Sequence, residues 1–480
     1  FGTPHYFTYK DLLMEDFQSA DSVRKLEATK EGSLDFFHQE TQIDIDMANI
    51  ATITIYKGRP PIEFLRKRVN EIIHLNPWLK GRLVRQNNAI VLRYTTISSS
   101  VNDIKRDQPY FKIVLEQDLP PEALLPEENY TWLSKYTLQN SARSIIGQEN
   151  KPLFLVSIVF LGNEKFALVV SMYHLLSDGH GFYDLYGMLS QDRSARALNA
   201  VRDHTINRKV MEQADRAYRF YGSIGMTCNI MGRIMFYKNV VYQCRFISMK
   251  WIDEQKQAFL QRKQAMEERN KTVTSNTTAS DSSASGTNTN TSSPSDSLPV
   301  PEFVSTNDII TSQILSTTQA DVGFMAVNFR NRIDNLTNDH FGNYQVIVMY
   351  EAPDYTSPEL IRQSITSNNY TAVVTGRNPV PYPGFFKRRT ANSCLVTNWA
   401  TLYQHVTFEA CEHVIHTPII DGGPPPFKAG IIYMATPTKM ALSIVDNTTV
   451  LMDQLSELGM VEDCDIPFSP ASFDQASLLR

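Results

Sequence analysis

His174 stands four residues before Asp178 in "MYHLLSDGHGFY" (172–183), with Gly179 and Gly181 directly behind. Imidazole is the side chain best suited to accept a proton near neutral pH. A carboxylate this close has two available roles. It orients the ring, or it turns away and pairs with a distant arginine to hold the loop. The spacing leaves both open. Gly179 and Gly181 suit a tight backbone turn. The stretch follows the apolar run "KFALVVS" (165–171), and loops at strand ends are where sites are usually built.

Other residues carry chemistry-bearing side chains. Arg330 and Arg332 are separated by one residue after "GFMAVNF". On a strand they would point the same way. "ACEHVIH" (410–416) gathers Cys411, His413 and His416. These are metal-ligand types, but their spacing fits no paired pattern and no second Cys/His cluster accompanies them. No metal is expected. Lys387, Arg388 and Arg389 form the most basic tripeptide. It suits either the phosphates of coenzyme A or a solvated charged face, and it is left out of the candidate site.

The pattern His174-x-x-x-Asp178-Gly179 resembles the H-x-x-x-D-G signature of the coenzyme-A-dependent acyltransferase superfamily. That group includes chloramphenicol acetyltransferase-like enzymes, plant BAHD acyltransferases, fungal acetyltransferases and the condensation domains of peptide synthetases. Further stretches resemble the family in its own order. They are "NPWLKGRL" (76–83), "STNDIITSQIL" (305–315), "VNFRNRI" (327–333) with "FGN" (341–343), and "VTNWATL" (396–402). The D-F-G-W-G stretch of BAHD enzymes has no counterpart in "TFEACEHVIHTP" (407–418). The likeness is therefore to a divergent member.

The resemblance implies a two-lobed α/β fold, with mixed sheets flanked by helices and a channel between the lobes. It implies acyl transfer from acyl-CoA, a co-substrate rather than a cofactor, to a small-molecule hydroxyl or amine. His174 would be the general base. Thr397 and Trp399 match positions assigned to the oxyanion, and plain core packing is the other reading of Trp399. One of Arg330 and Arg332 would pair with Asp178, and Asn343 would tie down a turn. Two rival readings keep the same fold: a condensation-like domain using carrier-bound donors, and a non-catalytic binding protein. Tyr173, where condensation domains often have a second His, favours free acyl-CoA. The resemblance further suggests a monomeric cytoplasmic enzyme of secondary metabolism.

The elements that must position these residues are legible in the pattern. "NIATITIY" (49–56) reads as a strand. "PPIEFLRKRVNEIIHL" (60–75) reads as a helix with Ile62, Leu65, Val69, Ile72 and Ile73 on one face. Segments 89–95 and 111–117 read as strands. "PLFLVSIVFLG" and "KFALVVSMYH" read as a hairpin turned at "NE". "GFYDLYGMLSQDRSARAL" has helix periodicity. The expected division is an N-terminal lobe over 1–200, a helical crossover over 201–245 and a C-terminal lobe over 246–480. In the last, "STNDIITSQILSTT" reads as a helix capped at Ser305 or Thr306. "AGIIYMATPTKMALSIVDNTTVLMDQL" reads as strand, turn, strand, helix. Residues 270–299, rich in Ser, Thr and Asn, bury too little apolar surface to order and read as a disordered insertion.

The 480 residues are 42% hydrophobic with a net charge of −5. That supports sizeable cores and excludes the strong basic bias of a nucleic-acid binder. Five scattered cysteines, Cys228, Cys244, Cys394, Cys411 and Cys464, suit a reducing compartment better than a disulfide framework. Sequons such as Asn129, Asn335 and Asn447 carry little weight without a signal peptide. No apolar run reaches the ~18 residues of a membrane span, and no repeat of ~20–50 residues is present.

Overall fold

The computed structural model describes residues 31–95, 109–119, 131–162, 164–236, 241–278, 300–366, 383–419 and 428–462. In chain order the first elements are β1 (Glu31–Asp35), α1 (His38–Gln42), β2 (Ile50–Lys57) and α2 (Ile62–Leu75). Then come β3 (Arg82–Gln86), β4 (Ala89–Thr95), β5 (Phe111–Val114), β6 (Phe154–Gly162), β7 (Lys165–Met172) and α3 (Gly179–Gly187). The chain continues through α4 (His204–Tyr221), α5 (Ile224–Phe236), β8 (Val241–Ile247), α6 (Met249–Thr278), α7 (Thr306–Thr318) and β9 (Val322–Asn328). It ends with β10 (Gln345–Glu351), α8 (Pro358–Thr366), α9 (Phe385–Thr390), β11 (Ser393–Asn398), β12 (Glu412–Ile419), β13 (Lys428–Met434), β14 (Met440–Asp446), α10 (Val450–Glu457) and β15 (Val461–Glu462).

Two lobes result. The first holds a five-stranded sheet in the order β12-β2-β7-β6-β5 and a small sheet β1-β4-β3. The second holds a seven-stranded sheet, β10-β9-β11-β13-β14-β8-β15. β11 runs parallel to both neighbours, whereas β9–β10 and β13–β14–β8 are antiparallel, so the sheet is mixed as the resemblance implied.

The period-two alternation of β2 and β7 decides what each face meets. Tyr56, Phe166, Leu168 and Val170 face α2 and α3, where Leu65, Val69, Ile72, Ile73, Phe182 and Leu185 complete a core. Ile53, Ile55, Ala167 and Val169 face the other lobe and pack with Cys244, Ile431, Tyr433 and Ala441. Both faces are buried, so these strands read as near-continuous apolar runs. The second sheet behaves likewise. One face is covered by α6, α7, α8 and α10. The other is shared between α4 and α5 at its β9–β10–β11 end and the first lobe at its β13–β14–β8 end.

Three expectations need correction. The lobes are not collinear with the chain, because β12, expected in the second lobe, pairs antiparallel with β2 as an edge of the first sheet. The expected crossover over 201–245 belongs largely to the second lobe: α4 lies on β10, and β8 begins at Val241 inside that sheet. Helix α6 continues through Thr278 into the stretch read as disordered. A helix already nucleated propagates one residue at a time, through weak formers. The rest of that insertion, 279–299, lies outside the described residues.

Candidate active site

His174 lies two residues beyond the end of β7, in a turn closed by the Leu176 N–H donating to the Tyr173 carbonyl at 3.0 Å. The ring sits half-buried. Its Nδ1 is buried and without a hydrogen-bond partner. Burial pushes the imidazole pKa below its ordinary value, against the pull of the Asp178 charge, its own carbonyl, Glu40 and Asn343. The ring is therefore neutral at pH 7, which is the state a base needs.

Asp178 does not touch that ring. Its Oδ1 caps α3, accepting from the N–H groups of His180 at 3.1 Å and Gly181 at 3.4 Å. Its Oδ2 accepts from Arg330 Nη1 at 2.8 Å and from the Tyr344 N–H at 3.0 Å. Burial works against the carboxylate charge, but the Arg330 guanidinium and the hydrogen bonds outweigh it and hold the pKa below the ordinary range. Of the two roles the spacing left open, the geometry shows the pairing one.

Arg330 and Arg332 do not share a strand face, because β9 stops at Asn328 and both lie in the turn beyond it. Arg330 reaches back across the lobes. Besides Asp178 it donates to the carbonyls of His340 (Nε, 2.9 Å) and Gly342 (Nη2, 2.8 Å) and to Asn328 Oδ1 (Nη1, 3.1 Å). Arg332 points elsewhere, to the Ile365 carbonyl at 3.3 Å.

The "FGN" turn forms the second half of this clasp. Phe341 enters the first lobe's core with its ring centroid 4.6 Å from that of Trp78. Ser177 Oγ donates to the Gly342 carbonyl at 3.0 Å, and the Gly342 N–H lies 3.1 Å from Ser177 Oγ. Asn343 Nδ2 donates to the His174 carbonyl and to Glu40 Oε1, both at 2.9 Å. Gly181 is needed for space rather than for an unusual φ. A Cβ there would collide with Ser177 Oγ and lie 2.7 Å from the Phe341 ring. Gly179 is less tightly held, with only Leu402 at 3.1 Å.

Two residues of this framework carry no signal in the sequence. Glu40 and Arg202 form a buried two-point pair, Nη2–Oε1 2.9 Å and Nε–Oε2 3.1 Å. Arg202 also donates to the carbonyls of Leu176 at 2.6 Å and Phe341 at 3.0 Å. The His174 turn is thus held by two buried ion pairs. Glu40 and Arg202 lie 162 residues apart, and nothing local marks either of them.

Thr397 stands on β11 opposite Ile431 of β13. Ile431 packs in the layer between the lobes, so Thr397 faces the same way. Trp399 follows the strand, tied by its N–H to the Ile432 carbonyl at 2.7 Å. Its half-buried ring meets the Tyr183 ring of α3 edge-on at 6.3 Å. Neither the Thr397 hydroxyl nor the indole N–H bonds another described residue. Asn398, between them, is fixed by Asn307 of α7 at 2.9 Å, under the capping box of Ser305 and Asp308.

A second polar cluster lies behind α3. His416 is fully buried, with Nδ1 2.8 Å from Thr54 Oγ1 and Nε2 3.0 Å from the Tyr183 hydroxyl. The Tyr403 hydroxyl sits 3.2 Å from both His405 Nδ1 and His413 Nε2. On a regular strand His413 and His416 would face opposite ways. A bulge between His413 and Ile415 places them opposite Tyr56 and Thr54, on one face. Burial lowers the pKa of His413 to about 4 and also holds that of His416 well below its ordinary value. Cys411 is turned to the Arg59 carbonyl. Among the described residues, no group of three or more His, Cys, Asp or Glu is placed to hold a metal ion.

No family model matches the sequence, and no curated protein matches it. Solved structures do match in fold. One is F. sporotrichioides TRI101 complexed with coenzyme A and T-2: 13% identity, 88% of this chain, 97% of that one, TM-score 0.52. Another is the first condensation domain of the calcium-dependent antibiotic synthetase in complex with a substrate analogue: 10% identity, 90% and 96% coverage, TM-score 0.51. F. graminearum TRI101 with coenzyme A and T-2 mycotoxin gives 12% identity, 88% and 97% coverage and TM-score 0.50. At such identities the likeness establishes a shared fold, the two-lobed one that the motifs implied.

Proposed function

Starting from this shared two-lobed fold, we propose that the chain is an acyltransferase moving an acyl group from acyl-CoA to a hydroxyl, or less readily an amine, of a small molecule. The observation that carries the reading is His174: a half-buried, neutral imidazole just beyond a strand end, its turn clamped by two buried ion pairs. The TRI101 structures were solved with coenzyme A bound, which supports that donor class.

In this mechanism His174 Nε2 takes the proton from the acceptor hydroxyl as its oxygen attacks the thioester carbonyl. The Thr397 hydroxyl and the Trp399 indole N–H donate to the oxyanion that forms. The tetrahedral intermediate collapses, the C–S bond breaks, and the imidazolium returns its proton to the departing thiolate. Asp178, Gly179, Arg330 and Asn343 position the base without touching the substrate. Arg332 has no part in it. The protein is expected to work as a monomer in the cytoplasm.

The test is thiol release from a panel of acyl-CoAs with pooled alcohol and amine acceptors, for the native chain and His174→Ala. Acceptor-dependent release that disappears in the variant is expected. Coenzyme A binding by calorimetry without turnover would replace this reading with a binding protein. Neither binding nor turnover would point to carrier-bound donors.

A further inference from the structure

The outer face of α5 and α9, none of whose residues belongs to the proposed site, combines exposed apolar side chains with cations. On α5, Ile224, Cys228 and Met231 recur at spacings of four and three and are all exposed. That spacing is one helical stripe, yet here it points outward, while Met226 and Asn229 are buried. Helix α9 is docked beside it. Gly225 lets the helices approach, since a Cβ there would lie 2.8 Å from Arg388 Cβ and 3.0 Å from the Phe385 carbonyl. Asn229 Nδ2 ties the pair by donating to the carbonyls of Arg388 at 3.0 Å and Ala391 at 2.9 Å.

Phe386 is 80% exposed, Ile224 62%, and Phe385 and Met231 40% each. Two neighbouring phenyl rings standing in solvent are costly unless something covers them. Lys387 and Arg389, both exposed, and the half-buried Arg388 follow directly. Neither helix carries an acidic residue, in a chain whose net charge is −5.

We propose that this face seats on the surface of an anionic lipid bilayer. Phe385, Phe386, Ile224 and Met231 enter the boundary between headgroups and acyl chains, and Lys387 and Arg389 meet lipid phosphates. The charge selects this occupant. A two-fold contact with a second copy would set the same cations against themselves. A nucleic-acid backbone would satisfy the cations and leave the phenyl rings in water. Among the described residues no helix is long and apolar enough to cross a membrane, so the association is peripheral. It does not depend on the acyltransferase reading.

The test is cosedimentation of the full chain with vesicles of phosphatidylcholine alone or mixed with phosphatidylserine, without coenzyme A. Binding to the mixed vesicles is expected, falling steeply between about 0.1 M and 1 M salt, where the screening length drops from about 10 Å to about 3 Å. Each cation near such a surface is worth about fivefold, so the K387E/R389E variant should bind at least about 25-fold more weakly. F385S/F386S should lose about tenfold or more for each ring. All four positions are exposed, so unchanged thermal melting is the control for folding. The salt series on the native chain needs no variant. No binding to either vesicle, or equal binding by native and variant chains, would overturn the proposal. So would concentration-dependent self-association that the F385S/F386S change abolishes while vesicle binding is absent.

Discussion

Replacing Arg330 with Gln leaves the Asp178 carboxylate buried and without its counter-charge. Arg330 Nη1 lies 2.8 Å from Asp178 Oδ2, and two unit charges about 4 Å apart at an effective dielectric near 20 attract by about 4 kcal/mol. Removing one member of such a pair typically costs about 3–5 kcal/mol. Unfolding entropy of about 2.1 cal/mol/K per residue gives about 1 kcal/mol/K for a chain of this length, so the melting temperature should fall by about 3–5 °C. The pH dependence is more diagnostic. With Arg330 present, Asp178 ionises more readily in the fold than in the unfolded chain. Its contribution is complete above the ordinary carboxylate pKa of about 3.9 and is lost as the pH falls through the lower folded value. Without Arg330, burial is opposed only by the remaining N–H donors and the His180 ring, and the folded pKa is expected to rise above the unfolded one. The Arg330→Gln chain should then lose further stability as the pH rises above about 4. Scanning calorimetry of native, Arg330→Gln, Asp178→Asn and double-variant chains from pH 4 to 8 reads this directly. A loss under about 1 kcal/mol with additive single effects, or no difference in pH slope, would refute the cross-lobe clasp.

Asn343→Ala removes the amide that holds the His174 carbonyl and leaves Glu40 with fewer donors. Its kcat should drop more than its KM changes, at a stability cost of about 1–3 kcal/mol, checked by steady-state kinetics and urea titration. Gly181→Ala should destabilise by about 1–3 kcal/mol through overpacking against Ser177 and Phe341, and Gly179→Ala by less, as urea midpoints will show. His413 stays neutral in the fold down to about pH 4. Its contribution is present above the unfolded pKa of about 6.5 and lost as the pH falls toward 4. A His413→Phe chain should show a shallower decline of melting temperature over that window. Trp399→Phe keeps the ring and removes the N–H, so kcat should fall by about 10²-fold if the indole meets the oxyanion, with coenzyme A affinity retained.

The strands and helices around the motif were readable because their apolar periods are strong. The face predicted for α2 is the face it buries, except that Ile62 is half-buried. What was not readable is long-range or breaks a period. Glu40 and Arg202 meet across 162 residues. β12 leaves its lobe to pair with β2, which no local pattern encodes. Parity fails for Arg330 and Arg332 because β9 ends before them, and the bulge that puts His413 and His416 on one face has no local signature. The sequence suits Gly181 to a turn, whereas a neighbouring hydroxyl and phenyl ring demand its missing Cβ.

The central claim is that a neutral His174 removes the acceptor's proton. The most direct measurement is the pH dependence of kcat/KM for acceptor-dependent thiol release, native against His174→Ala. The account predicts a rate that rises with pH to a plateau, with an apparent pKa below the ordinary histidine value, because burial disfavours the charged ring. It also predicts a loss of about 10²–10⁴-fold in the variant. A His174→Ala chain that keeps most of the native rate, or that retains the same pH profile, would contradict it.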